Sequence, residues 1–129
     1  MVKQVFSVES YWKVIIYYNV DYNFFDDILY ELRMIGFSDK VIENTYKRMT
    51  SHKALAVTCS SPEYHTSIIL FNTHSSEADY INSIVHEAEH VKQAILKAYR
   101  VNDVGEAPAY TVGYLVMRMY KTFRNLLNN

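Results

Sequence analysis

The chain has 129 residues and a formal net charge of −1; half of its residues are hydrophobic and 21% are charged. We expect a single domain over residues 1–129, and the charge balance argues against a nucleic-acid partner. The single cysteine, Cys59, excludes an internal disulfide. We find neither a secretion signal nor an apolar run of membrane-spanning length, and therefore expect a cytoplasmic protein with no membrane partner.

The first part of the chain predicts a strand followed by two helices. Residues 1–10 are ambiguous, and a short strand is one interpretation. Residues 11–20 are rich in aromatic and β-branched side chains, which is typical of a buried strand. Asn23 is expected to begin a helix that ends at Gly36, and Ser38 to begin a second, shorter helix. Nothing in either helix indicates catalysis, so we interpret the pair as scaffold.

Two more strands are predicted over residues 53–59 and 64–73, on either side of a turn that contains Pro62. The short spacing favours a hairpin. The second strand leads directly into the segment with the strongest functional signal. A free sheet edge can hold an extended peptide as an additional strand, and we choose Tyr64–Phe71 as the candidate edge. The alternative is an interior strand whose edges are already covered.

The strongest functional signal is the pattern H-E-x-x-H, formed by His86, Glu87 and His90. Residues four apart on a helix lie on the same face, so the two imidazoles can reach a single metal ion. Zn²⁺ suits neutral imidazole nitrogen well. Glu87 can then deprotonate a metal-bound water. The pattern indicates a catalytic zinc site.

The segment around the pattern predicts a helix over residues 77–99, since apolar residues recur there at helical spacing. Ser76, with Asp79 three residues later, marks the start of this helix. The apolar stripe lies opposite His86 and His90. Two other interpretations stay open: a pair of packed core histidines, and a solvated helix face on which two histidines fall by chance.

A catalytic zinc site needs a third protein ligand and an open position for water. A further helix is predicted over residues 111–125, and Gly105 and Pro108 are typical of a helix beginning. This places Glu106 at the head of a helix that can fold back on the histidine pair. Asp103 and His74 compete for the same role, and Glu106 can also be an acid favoured by the helix dipole alone.

His86-Glu87-x-x-His90 followed by Glu106 resembles the gluzincin type of zincin metallopeptidase, most strongly over Ser76–Tyr114. The resemblance implies an α+β, zincin-like fold in which a small antiparallel or mixed sheet packs on the motif helix and its flanking helices. It also implies that Glu106 is the third zinc ligand. SprT-like zincins are less similar, because their third ligand is a histidine and no histidine follows His90.

In the gluzincin type a tyrosine or histidine near the metal helps to stabilise the oxyanion. The resemblance implies this role for Tyr110, in preference to Tyr114 and His74. Glu89 points about 60° away from the histidine pair, so we expect it to support a ligand or to face solvent.

We therefore expect a zinc metallopeptidase that hydrolyses a peptide or protein substrate through a zinc-bound water activated by Glu87. One alternative function is a binding or regulatory module that is stabilised by zinc and does not hydrolyse peptides at a useful rate. Another is a metal-free interaction domain in which the motif arose by chance. The sequence leaves the substrate and the oligomeric state open.

Overall fold

The computed structural model describes residues 1–127, which form four strands, one 3-10 turn and four α-helices. The strands are β1 (Val2–Val8), β2 (Trp12–Tyr18), β3 (Ala56–Ser61) and β4 (Thr66–Phe71). The helices are α1 (Phe25–Met34), α2 (Asp39–Thr50), α3 (Glu77–Ala98) and α4 (Glu106–Leu127), and the 3-10 turn Tyr22–Phe24 precedes α1.

The strands form one mixed sheet in the order β1-β2-β4-β3. β1 pairs antiparallel with β2, so residues 1–10 do contain a strand. The predicted hairpin is confirmed, since β3 and β4 pair antiparallel. β2 and β4 pair in parallel across the middle of the sheet. Together with the four helices, this sheet confirms the predicted α+β class.

The prediction that Tyr64–Phe71 forms a free sheet edge is wrong. β4 lies between β2 and β3, and all six of its residues are buried. Residues Ile68–Phe71 are apolar on both faces of the strand, as expected for an interior strand with a layer on each side. Among residues 1–127, no strand pairs with the outer side of β3, so β3 is the free edge beside the motif helix.

Helices cover both faces of the sheet, which gives three layers. The alternate side chains of β2 belong to two separate cores, one on each face of the sheet. Val14 and Ile16 pack in the core between the sheet and helices α3 and α4. Ile15 and Tyr17 pack in the core between the sheet and helices α1 and α2. This alternation follows from the strand repeat of two residues. The edge of β3 is therefore accessible from the side, between two helical layers.

The prediction that Asn23 begins the first helix is wrong. Asp21 caps the 3-10 turn by accepting a hydrogen bond from the N–H of Asn23, and α1 begins at Phe25 without a side-chain cap.

Other helix ends are set by local polar signals, as predicted. The Ser76 hydroxyl accepts a hydrogen bond of 3.1 Å from the backbone N–H of Asp79 at the start of α3. Ser38 caps α2 in the same way, through the N–H of Val41. Gly36 follows α1 with a φ of 91°, a left-handed conformation that glycine adopts without strain. Within residues 1–127, no helix is both long and apolar enough to cross a membrane.

Candidate active site

A cleft of about 370 Å³ lies between α3 and the free edge of β3. α3 contributes His86, Glu87 and His90, which are the three residues of the H-E-x-x-H pattern. β3 contributes Thr58 among others, and Arg48 from α2 also lines the cleft. The motif therefore faces a groove bordered by an unpaired strand edge.

The two motif histidines converge on one point. Their Nε2 atoms are 3.1 Å apart, and the rings meet edge to face with centroids 4.7 Å apart. Two nitrogen ligands of a tetrahedral zinc site, each 2.0–2.1 Å from the ion, are separated by about 3.3 Å. The histidine pair thus fits two positions of such a site. The side chain of His86 is 67% exposed, which excludes the interpretation of packed core histidines.

Glu87 lies beneath the histidine pair and is only 5% exposed. Its Oε1 accepts a hydrogen bond of 2.9 Å from the Thr58 hydroxyl, while its Oε2 is 3.9 Å from His86 Nε2. A buried carboxylate is costly without a hydrogen-bond donor, and Thr58 supplies one. One carboxylate oxygen is thereby fixed to β3, and the other lies on the side of His86.

The outer edge of β3 offers backbone groups to the cleft. The N–H of Asn72 donates to the carbonyl of Leu55 at 2.9 Å, so Leu55 faces β4. In an antiparallel pair such residues alternate with residues whose backbone groups face away. The N–H and C=O of Ala56, Thr58 and Ser60 consequently point to the free edge, where an extended peptide can pair with them.

The structure does not bring Glu106 to the histidine pair. Glu106 is exposed at the start of α4. The preceding loop is held by an ion pair of 2.9 Å between Lys92 and Asp103. At about 100° per residue, Lys92 points nearly opposite to His90 on α3. Glu106 therefore begins a helix on the far side of α3, and its role as a zinc ligand stays a prediction.

Among residues 1–127, no group of three or more His, Cys, Asp or Glu side chains has the arrangement of a metal site. Asp103 is engaged with Lys92, which also contacts Glu89. These two acids raise the pKa of Lys92, because each stabilises its charged form. Glu89 thus forms an ion pair on the α4 side of α3, and neither Glu89 nor Asp103 joins the histidine pair.

The residues predicted for oxyanion stabilisation also lie outside the cleft. Tyr110 is 72% exposed and lines a different, larger groove of about 740 Å³ near the end of α3. The hydroxyl of Tyr114 donates to the backbone carbonyl of Ser7 at 3.3 Å. The ring nitrogens of His74 contact the Asn72 carbonyl and the Ser83 hydroxyl, each at 2.7 Å. His74 therefore ties β4 to α3.

Thr58 and Arg48 are among the cleft residues that were not predicted from the sequence. Thr58 can be identified as a cleft residue only when the strand order shows that β3, and not β4, is the free edge beside α3. Arg48 lies in the last turn of α2, where a basic residue is ordinary because it favours the helix dipole. Neither residue belongs to a motif, so the sequence carried no local signal for either.

Cys59 takes no part in the site. It is buried on the opposite face of β3, with its sulfur 3.4 Å from the hydroxyl of Thr45. Burial raises the pKa of the thiol, which lowers the fraction of reactive thiolate.

Comparison of the chain with models of protein families, with curated proteins and with solved structures finds no match.

Proposed function

We propose that this protein is a zincin-like, zinc-dependent metallopeptidase whose active site is the cleft between α3 and β3. One observation carries the proposal: the Nε2 atoms of His86 and His90 converge above the buried carboxylate of Glu87. A solvated face with chance histidines has no need of a buried glutamate beneath it, since burial of a carboxylate is costly.

Each residue of the motif has a distinct role in this proposal. His86 and His90 would hold Zn²⁺, which when bound polarises the scissile carbonyl and lowers the pKa of water. Glu87 would accept a proton from the attacking water and return it to the leaving amine. Thr58 would keep the Glu87 carboxylate in place for both transfers, because it holds the oxygen that faces β3.

The edge of β3 supports a peptide as the substrate. Its outward backbone groups run along the same cleft that contains the histidine pair. A peptide paired with this edge would pass beside His86 and His90 with its backbone extended, which exposes its carbonyl groups.

A second candidate function is a zinc-binding regulatory module without useful hydrolysis. Within residues 1–127 no third ligand joins the histidine pair, which weakens zinc binding in both functions and therefore does not separate them. Glu87 favours the peptidase, because a site that merely binds metal needs no base at that position.

Hydrolysis of an unbiased peptide library separates the two functions. The peptidase should cleave library peptides, lose this activity in a chelator, and regain it when Zn²⁺ is added back. Zinc binding without any cleavage would reject the peptidase in favour of the regulatory module. A protein that neither contains zinc nor binds it on titration would reject both.

A further inference from the structure

Arg48 is the basic side chain of the cleft that the proposed hydrolysis does not use. It lines the cleft together with His86 and Thr58. Among residues 1–127, its guanidinium forms no ion pair with an acidic side chain. The preceding residue, Lys47, is paired with Glu43 at 2.8 Å. Arg48 is therefore free to bind a carboxylate from outside the chain.

Arg48 reaches the edge of β3 from the layer opposite to the histidines. α2 packs on the sheet face where Val57 and Cys59 are buried, whereas Thr58 points to Glu87 on the α3 side. The free edge of β3 thus runs between Arg48 below and the histidine pair above.

An extended peptide on this edge would meet both groups. Successive side chains of a strand point to opposite faces, so neighbouring residues of the peptide face α3 and α2 in turn. When one residue faces the histidine pair, the next faces Arg48. A guanidinium binds carboxylates through two parallel hydrogen bonds, which gives it a preference for this group.

On the basis of the proposed peptide-binding cleft, we propose that Arg48 selects substrates with a carboxylate beside the scissile bond. This carboxylate is an acidic side chain or the free C-terminus of the peptide, which present the same group to Arg48. Glu87 does not compete for Arg48, because it is buried and held by Thr58.

The test measures binding of matched fluorescent peptides to a Glu87→Gln protein, which should not cleave them. One series exchanges Glu for Gln at each position, and a second exchanges a C-terminal acid for an amide. We expect about three- to tenfold tighter binding of the peptide with the carboxylate in one of the series. Arg48→Gln should abolish this preference, whereas Lys47→Gln, which removes the neighbouring positive charge, should retain it.

Several results would overturn the inference. The first is equal affinity for the peptides with and without the carboxylate. The second is a preference for the carboxylate that persists in Arg48→Gln, and the third is that no peptide binds. Cleavage by the otherwise unchanged protein adds a second measurement. If Arg48→Gln lowers kcat equally for every peptide, Arg48 acts in the reaction and not in selection.

The two proposals fail in different ways. Binding that depends on Arg48, in a protein that cleaves nothing, would reject the peptidase and keep the carboxylate site. Zinc-dependent cleavage with no preference for a carboxylate would reject the role of Arg48 and keep the peptidase.

Discussion

The Thr58 hydroxyl donates a hydrogen bond of 2.9 Å to the carboxylate of Glu87, which joins the edge strand β3 to the motif helix α3. Because Glu87 is only 5% exposed, this hydroxyl replaces water that the carboxylate has lost. The contact makes the position of Glu87 dependent on the strand along which we propose that the substrate binds.

Thr58→Val retains the shape of the side chain and removes the donor. We expect unfolding free energy to fall by about 1–3 kcal/mol, because a buried carboxylate loses its partner. Peptide cleavage should fall by about tenfold while zinc content stays the same, since the ligands are untouched. Thermal denaturation, cleavage assays and elemental analysis measure the three quantities.

The control for this change is Thr73→Val, at an exposed threonine after β4. It should alter stability by under about 0.5 kcal/mol and leave cleavage unchanged. Full activity in Thr58→Val would show that Glu87 does not need this hydrogen bond.

His86→Ala and His90→Ala should each weaken zinc binding by at least about tenfold, because each removes one of the two converging nitrogens. Competition titration against a chromophoric chelator measures the affinity. Gln93→Ala is the matched control. Gln93 is exposed on the same side of α3 as the two histidines, and its side chain contacts Glu89. If His86→Ala and His90→Ala bind zinc as tightly as the Gln93→Ala control, the two histidines are not zinc ligands.

Glu106→Gln tests whether Glu106 is the third zinc ligand. The resemblance to gluzincins implies that it is, whereas its position in the structure argues against this role. Glu106 lies exposed at the start of α4, beyond the loop that Lys92 holds through Asp103. We therefore expect zinc affinity to change by less than about twofold and stability by under about 1 kcal/mol. A loss of tenfold or more in the same titration would make Glu106 a ligand and require the start of α4 to move.

Most helices and strands could be predicted from local sequence, because caps and hydrophobic spacing are short-range signals. Ser76 and Gly36 mark helix ends through contacts within a few residues. The order of the strands was not accessible in this way. Pairing of β2 with β4 joins residues about 53 apart, from Lys13 to Thr66, and it makes β3 the edge.

The same distinction applies to the site. His86 and His90 converge because both lie on one helix, where spacing alone fixes their geometry. Glu106 lies on another helix, and its place depends on a loop whose course is set by Lys92 and Asp103. Thr58 and Arg48 enter the cleft through the arrangement of the layers, which no short pattern in the sequence reports.

Substitutions of two glycines away from the cleft test the backbone conformation through protein stability. Gly36 has a φ of 91°, and an added Cβ would lie 2.9 Å from Cε2 of Tyr64. Gly36→Ala should therefore destabilise the protein by about 1–3 kcal/mol. Gly113, inside α4, has no atom within 4 Å of an added Cβ, so Gly113→Ala should stabilise by up to about 1 kcal/mol. Thermal denaturation of both variants measures this contrast, and equal melting temperatures would contradict it.

Zinc content and peptide cleavage of the unchanged protein and of Glu87→Gln, measured side by side, test the proposed peptidase mechanism most directly. The amide keeps the size of the side chain but cannot accept a proton from water. We predict that both proteins bind zinc with similar affinity, and that only the unchanged protein cleaves peptides in a reaction that a chelator stops. Cleavage by Glu87→Gln at the rate of the unchanged protein would show that Glu87 is not the catalytic base.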